Sequence, residues 1–243
     1  MTPAWLHLLA VAGLLFGAAC AVVIAFDVGL RPQAMAIMNV VWPVVATFGT
    51  VFVVWAYFRF GRLSSRKAMQ EARSAGKTPP NKELPFPVMV AKGAAHCGSG
   101  CAIGDVIAEF LAFFVPSIAV WLGWKSLFAE KMFAVWVLDY LFAFSLGIAF
   151  QYFTIKPMRD LSPAEGLIQA VKADTLSLSA WQVGMYGFMA FAQFYIFRGV
   201  LGVPLEVNSA EFWFMMQIAM VVGFVTSYPA NWWLLRTGIK ERM

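Results

Sequence analysis

Five residues between positions 96 and 109 have side chains that could bind a metal ion or carry a proton. His96 and Cys97 are adjacent, and Cys101, Asp105 and Glu109 follow at intervals of four residues. Thiolate and imidazole ligands suit Cu(I) or Zn(II), whereas carboxylates suit harder cations. Side chains of this kind are energetically unfavourable in a bilayer and mark ion or proton pathways there. All five are therefore predicted metal-binding residues.

The spacing predicts a ladder along one helix rather than a single metal site. Each step of four residues turns an ideal helix by about 400°, and Cys97 and Glu109 would lie about 18 Å apart along its axis. Metal–ligand bonds are only about 2.0–2.6 Å long, so one ion cannot contact both ends. The adjacent His96 and Cys97 would point about 100° apart. Unwinding of the helix at Gly98 and Gly100 would relax that angle.

The composition of the whole chain is that of a membrane protein. Of its 243 residues 61% are hydrophobic and 13% are charged, and the mean hydropathy is +0.72. Soluble domains contain about 25% charged residues. The net charge of +5 is therefore attributed to the loops of a membrane protein and not to a nucleic-acid partner.

Several apolar runs reach the length of about 20 residues that crosses a hydrocarbon core about 30 Å thick. They predict an all-α fold, a polytopic transmembrane helical bundle with a single integral membrane domain over residues 1–243. The predicted spans are 4–26, 37–58, 95–122, 132–154, 177–197 and 212–235, and a basic loop occupies 59–92.

The basic residues predict the orientation of these six spans. Fourteen of the eighteen lie in the loop 59–92, in the loop after the fourth span and in the C-terminal tail. The other four are Arg31, Lys125, Lys131 and Arg198. Because Lys and Arg collect in cytoplasmic loops, we expect both termini to lie in the cytoplasm. The predicted location is a bacterial inner membrane, crossed several times.

Other residues extend the candidate site or provide packing. Asp139 lies inside the fourth span, where a carboxylate needs a partner, and it is predicted to face Glu109. Gly100 and Gly104 form a small-xxx-small pattern that lets helices approach closely, and it could support a homo-oligomer. Five methionines could complete a soft metal site, although methionine more often fills gaps between helices. They are Met185, Met189, Met215, Met216 and Met220.

Three stretches of the chain resemble a bacterial family of polytopic membrane proteins that is classed as a domain of unknown function. They are Arg31-Pro32-Gln33 with Asn39-Val40-Val41-Trp42-Pro43, His96-Cys97-x3-Cys101-x2-Gly104-Asp105, and Tyr228-Pro229-x-Asn231-Trp232-Trp233-Leu234 with Gly238-Ile239-Lys240-Glu241. The resemblance implies a shared fold and a shared site at the His-Cys motif. It implies no particular activity.

The chemistry of residues 96–109 therefore has to predict the function. The chain contains no phosphate-binding loop, no Ser-His-Asp arrangement and no zinc-protease motif, so no catalytic residues and no enzymatic activity are predicted. The predicted function is a transporter or channel for a soft transition-metal ion, Cu(I) or else Zn(II). The alternatives are a membrane thiol oxidoreductase that uses Cys97 and Cys101, and a non-catalytic accessory subunit of a membrane complex.

Overall fold

The computed structural model of the chain describes residues 2–155 and 161–241. It is 81% helical, and the described residues form no β-strand, which confirms the all-α fold. The α-helices of this part of the chain are α1 (Ala4–Leu30), α2 (Met38–Arg59), α3 (Arg66–Ser74), α4 (Phe86–Phe114), α5 (Ser117–Trp121), α6 (Lys131–Ile155), α7 (Pro163–Ala190) and α8 (Ala210–Arg236). A π-helical segment, Phe191–Leu201, continues α7.

By total length and composition alone, five of these helices, α1, α2, α4, α6 and α8, could cross a membrane, which is consistent with a multi-pass membrane protein. The predicted spans 4–26, 132–154 and 212–235 fall within α1, α6 and α8. The predicted span 177–197 falls on α7 and its π-helical continuation. This long helical segment runs antiparallel to α8, since Ala180 contacts Thr226 and Ser177 contacts Asn231.

Helix α2 is a hairpin and not a straight span. The rings of Trp42 and Tyr57 lie 5.4 Å apart, whereas fifteen residues of straight helix would separate them by about 22 Å. The chain reverses at Thr50, whose φ of 45° and ψ of −131° lie outside the helical region. The two arms are about 18 Å and 14 Å long, too short to cross a core about 30 Å thick. The predicted span 37–58 therefore enters and leaves on one side.

The hairpin changes the position of the N-terminus. Near the end of α1, Asp27 accepts hydrogen bonds from Tyr57, 2.8 Å away, and from Arg62, 3.0 Å away, so α1 and α2 end on the same side. Near the start of α1, His7 Nδ1 lies 3.0 Å from the Glu211 carboxylate at the start of α8. The C-terminus follows the other end of α8. The prediction that both termini lie in the cytoplasm is therefore wrong, because an apolar run that folds back is indistinguishable in composition from one that crosses.

The corrected topology makes the charge asymmetry clearer. Three basic residues lie at the end of the bundle that holds the start of α8, namely Lys125, Lys131 and Arg198. Twelve others of the described part lie at the opposite end: Arg31, Arg59, Arg62, Arg66, Lys67, Arg73, Lys77, Lys82, Lys92, Lys172, Arg236 and Lys240. Lys156, Arg159 and Arg242, which also entered the predicted orientation, lie outside the described residues. We therefore expect a cytoplasmic C-terminus and an external N-terminus.

Helix α4 begins and ends earlier than the predicted span 95–122. It begins directly after Pro85, with Pro87 in its first turn, where proline is well tolerated. It ends at Phe114, because the residue before Pro116 is disfavoured in helical conformation. The predicted loop 59–92 is accordingly too long, and its last residue, Lys92, is a buried part of α4.

The glycines of α4 allow close packing inside the chain. The helix continues through Gly98 and Gly100 without a break, so of the two alternatives, unwinding and close packing, unwinding does not occur. Added Cβ atoms at Gly100 and Gly104 would lie 3.0 Å from the Gly147 backbone and 2.6 Å from the Ala143 backbone of α6. The small-xxx-small pattern is therefore occupied by the chain's own helix.

Replacement of Gly104 by alanine is expected to destabilise the protein by about 1–3 kcal/mol, because the new methyl group meets backbone that can yield only by moving α6. The measurement is the thermal unfolding midpoint of the purified protein in detergent. Gly187→Ala in α7 is the matched control, since none of the described atoms lies within 4 Å of its added Cβ. That variant should equal or slightly exceed the parent, because alanine favours helix. Equal midpoints for the two variants would contradict the close α4–α6 contact.

Candidate functional site: a buried polar track

The four ladder residues of α4 are all inside the bundle. Cys97, Cys101 and Asp105 are 0% exposed, and Glu109 is 6% exposed. Their side chains meet α6, α7 and the C-terminal tail rather than lipid. The spacing thus corresponds to a buried polar track along α4, with thiols towards the basic end of the bundle and carboxylates towards the other.

The thiol end of the track is a hydrogen-bonded group of five residues, which we call the inner cluster: Cys97, Asp174, Ser177, Asn231 and Lys240. The Cys97 thiol donates to Asp174 Oδ1, and its sulfur accepts from Lys240 Nζ at 2.8 Å and from Ser177 Oγ at 3.2 Å. Lys240 Nζ also lies 3.2 Å from Asp174 Oδ1 and 2.9 Å from Asn231 Oδ1. All five residues are fully or almost fully buried. The inner cluster therefore joins α4, α7, α8 and the tail.

Sequence reasoning missed four members of this cluster. Asp174 follows a stretch that reads as a surface helix, and Lys240 reads as one more basic residue of a cytoplasmic tail. The sequence signals for Lys240 are its place in the Gly238-Ile239-Lys240-Glu241 stretch and the nearby Gly238, which has a φ of +75° in the structure. This left-handed turn brings the chain back over the end of α8, where Lys240 N–H donates to the Leu234 carbonyl at 3.1 Å.

Burial and ion pairing have opposite effects on the pKa of Lys240. Burial disfavours its ammonium group, but the contacts with Cys97 and Asp174 outweigh burial and raise the pKa of Lys240 above its ordinary value. A buried carboxylate and a buried ammonium in contact neutralise each other, which satisfies the requirement that buried charges be paired. The positive charge of Lys240 thus balances the negative charge of Asp174, and the inner cluster has no net charge.

The carboxylate end of the track holds three buried acids, Asp105, Glu109 and Asp139, which we call the acid cluster. Asp139 of α6 interacts electrostatically with both Asp105 and Glu109, as predicted for the latter. Gln182 of α7 donates to Asp105 Oδ1 at 3.0 Å. Within the described ranges, Asp105 Oδ2 and both oxygens of Asp139 have no hydrogen-bond partner. Such oxygens require a proton or a cation, because an unpaired buried charge is very unfavourable.

The acid cluster approaches a cavity at the end of the bundle that holds the start of α8. This outer cavity has a volume of about 200 Å³, and Glu109 is one of its lining residues. Its wall also carries Glu130 and Arg198, which form a two-point ion pair with N–O distances of 2.7 Å. Burial is slight at Glu130, and the Arg198 guanidinium lowers the pKa of this carboxyl below its usual range. The outer cavity therefore links the protein surface at this end of the bundle to the buried acids.

His96 lies apart from the thiols. Its Nε2 is 2.9 Å from Thr154 Oγ1 of α6, whereas Cys97 contacts α7. The regular helix imposes this divergence, because adjacent residues point about 100° apart. Among residues 2–155 and 161–241, no three His, Cys, Asp or Glu side chains are grouped closely enough to hold a metal ion. The five methionines are buried in the same hydrophobic cluster as Cys101.

One comparison with known proteins gives a match. The model of a family described as a domain of unknown function, DUF4396, matches residues 88–240. The chain belongs to this family. The matched region begins in the first turn of α4 and ends at Lys240, so every residue of the inner cluster and the acid cluster lies within the DUF4396 domain. The motif at 31–43 lies outside it. No curated protein and no solved structure matches the chain.

Proposed function

We propose that this DUF4396 protein is a membrane transporter or channel for a cation, and that its cargo is a soft univalent ion of the Cu(I) type. The observation that carries the proposal is the buried polar track along α4, which places two thiols and two carboxylates at 6% exposure or less in a chain built for a bilayer. Burial of such groups is unfavourable and mainly occurs where it serves an ion or a proton.

The order of groups along the track suits stepwise transfer. The outer cavity would admit a cation to Glu109, and the acid cluster would neutralise it or exchange it for a proton. Cys101 and Cys97 would then bind the ion in turn, since thiol ligands select soft ions. The described residues contain no close group of three His, Cys, Asp or Glu side chains, which is compatible with transfer, because conduction requires binding that is weak and spread over several sites.

The contact between Lys240 and Cys97 also supports the thiol oxidoreductase alternative, because a nearby ammonium favours the reactive thiolate. Two features oppose it. The Cys97 thiol donates to Asp174, which retains the proton on sulfur, and both cysteines are fully buried. Reactive cysteines are usually partly exposed. The cation pathway therefore accounts for more of the site.

The proposal is tested by uptake of Ag(I), a stable soft univalent ion, into vesicles that contain the purified protein. The Cys97→Ser/Cys101→Ser variant is expected to lose saturable uptake and to fall to the rate of protein-free vesicles, because serine cannot bind a soft ion as thiolate does. Cys20→Ser is the matched control, since Cys20 is buried in α1 outside the track. Saturable uptake that persists in the double variant would refute a route through these thiols.

A further inference from the structure

Four acceptor atoms surround the Lys240 ammonium at the cytoplasmic end of the track. They are Gly93 O at 3.3 Å, Cys97 Sγ at 2.8 Å, Asp174 Oδ1 at 3.2 Å and Asn231 Oδ1 at 2.9 Å. A lysine ammonium has only three protons to donate. The acceptors, which we call the inner cage, thus outnumber the hydrogen bonds that their occupant can make. An arrangement of this kind resembles the coordination of a bare cation.

The charge of the inner cage matches a univalent ion. Asp174 brings one negative charge, Asn231 and the Gly93 carbonyl are neutral, and the neutral Cys97 thiol donates a hydrogen bond to Asp174. One positive charge therefore balances the cage, and the lysine currently supplies it. A univalent cation could replace the ammonium without any change in net charge, because the proton of the Cys97 thiol can pass along its hydrogen bond to Asp174 as the sulfur binds the ion. Asp174 Oδ2 has no hydrogen-bond partner within the described residues and offers one more ligand atom.

The segment that carries Lys240 can leave without disturbing the helices. Residues 236–239 are exposed, and Gly238 provides the turn by its left-handed φ of +75°. An open cavity of about 450 Å³ adjoins the turn and is lined by residues 235–238, 240 and 241. The ammonium group of Lys240 is therefore buried, but the backbone segment before it lies at the surface. This differs from Asp174, which is fixed within α7.

From these observations we propose that the inner cage is the cytoplasmic cation site of the track and that Lys240 is a tethered cation that closes it. Withdrawal of the tail opens the cage, and a soft univalent ion takes the place of the ammonium. This inference depends on the proposed cation transport for its biological meaning. The geometry of the cage and its closure by the tail are open to measurement without any transport.

The experiment measures the modification rate of Cys97 in the purified full-length protein. A Cys20→Ser/Cys101→Ser parent leaves Cys97 as the sole cysteine, and 2-aminoethyl methanethiosulfonate, a small cationic reagent, modifies it. Lys240→Met is expected to raise the rate at least about tenfold, because the minor open state becomes the major one. Arg236→Met, which removes an exposed positive charge four residues earlier, should leave the rate unchanged.

A second variant keeps the lysine and loosens its tether. Gly238→Val disfavours the left-handed turn, so it should also accelerate modification, and it carries the test if Lys240→Met fails to fold. In both variants micromolar Ag(I) should slow the modification again, whereas it should have little effect on the parent. Equal rates in the parent and the folded variants would overturn closure by Lys240. Faster modification without protection by Ag(I) would overturn the cation site.

The two proposals can fail separately. The uptake experiment could fail while the modification and protection results are as expected. The protein would then have a closed cation site but would not transport that ion. Normal uptake with unchanged modification of Cys97 would leave a cation pathway without the proposed closure.

Discussion

The Lys240→Met variant is expected to unfold about 3–5 kcal/mol more easily than the parent, because it leaves the Asp174 carboxylate buried and unpaired. Both side chains are 0% exposed, so the ion pair is shielded from water while the tail is in place. Asp174→Asn should be less damaging, since the tail can carry an unpaired Lys240 into water while α7 cannot release Asp174. The double variant Lys240→Met/Asp174→Asn should recover much of the loss, because it contains neither unpaired charge.

The measurement is chemical or thermal unfolding of the four proteins in the same detergent at neutral pH. Because the pKa of Lys240 is raised in the folded state, its contribution is complete at neutral pH and would decline only as pH rises above the range of an ordinary lysine. Arg236→Met is the control, and an exposed substitution of this kind should change stability by less than about 0.5 kcal/mol. If Lys240→Met matched that control, the buried pair would not contribute to the fold.

The second large effect is expected at Asp139, where stability and function should change in opposite directions. Asp139→Asn removes a carboxylate whose two oxygens lack partners within the described residues, so we expect a gain of about 1–3 kcal/mol in stability. The same change takes away one of the three acids of the acid cluster. Ag(I) uptake into vesicles should then fall about 10- to 100-fold, the size of effect seen when a supporting ligand of a metal site is removed.

A rise in unfolding midpoint together with a fall in uptake is the expected signature of an unfavourable group that is kept for function. Glu71→Gln on the exposed face of α3 serves as the matched control, and it should change neither quantity. If Asp139→Asn lowered both stability and uptake, the carboxylate would have a structural partner. If uptake stayed at the parent level, the acid cluster would not be part of a cation route.

The sequence predicted the positions of most helices because each has a simple physical cause. Apolar runs of sufficient length produced α1, α6 and α8, and a proline marks the point where α4 stops. The errors occurred where composition is ambiguous. The run from Met38 to Arg59 is apolar enough to cross a bilayer, yet one residue with left-handed φ, Thr50, turns it into a hairpin. A threonine gives no warning of such a turn, because β-branched residues rarely adopt it.

The predictions for the candidate site were likewise correct where the cause is local and undecided where it is not. A spacing of four residues on a continuous helix was enough to predict a buried track that starts at Cys97 and ends at Glu109. A regular helix was also enough to predict that the side chains of His96 and Cys97 would point in different directions. Glycines such as Gly100 left two readings open, unwinding or packing. The structure favours packing, because a Cβ atom added at Gly100 would lie only 3.0 Å from the backbone of α6.

By itself, the sequence determined that this is an all-α membrane protein with thiols and carboxylates in register along one helix, because hydrophobicity and helical periodicity are local properties of the chain. Only the tertiary structure decided which groups meet. Asp174 and Lys240 lie 77 and 143 residues from Cys97, yet both contact its sulfur. Such contacts depend on how helices pack and where the chain turns back, and no local pattern encodes them. The partner of the ladder's first thiol is consequently a lysine from the tail and not the adjacent histidine.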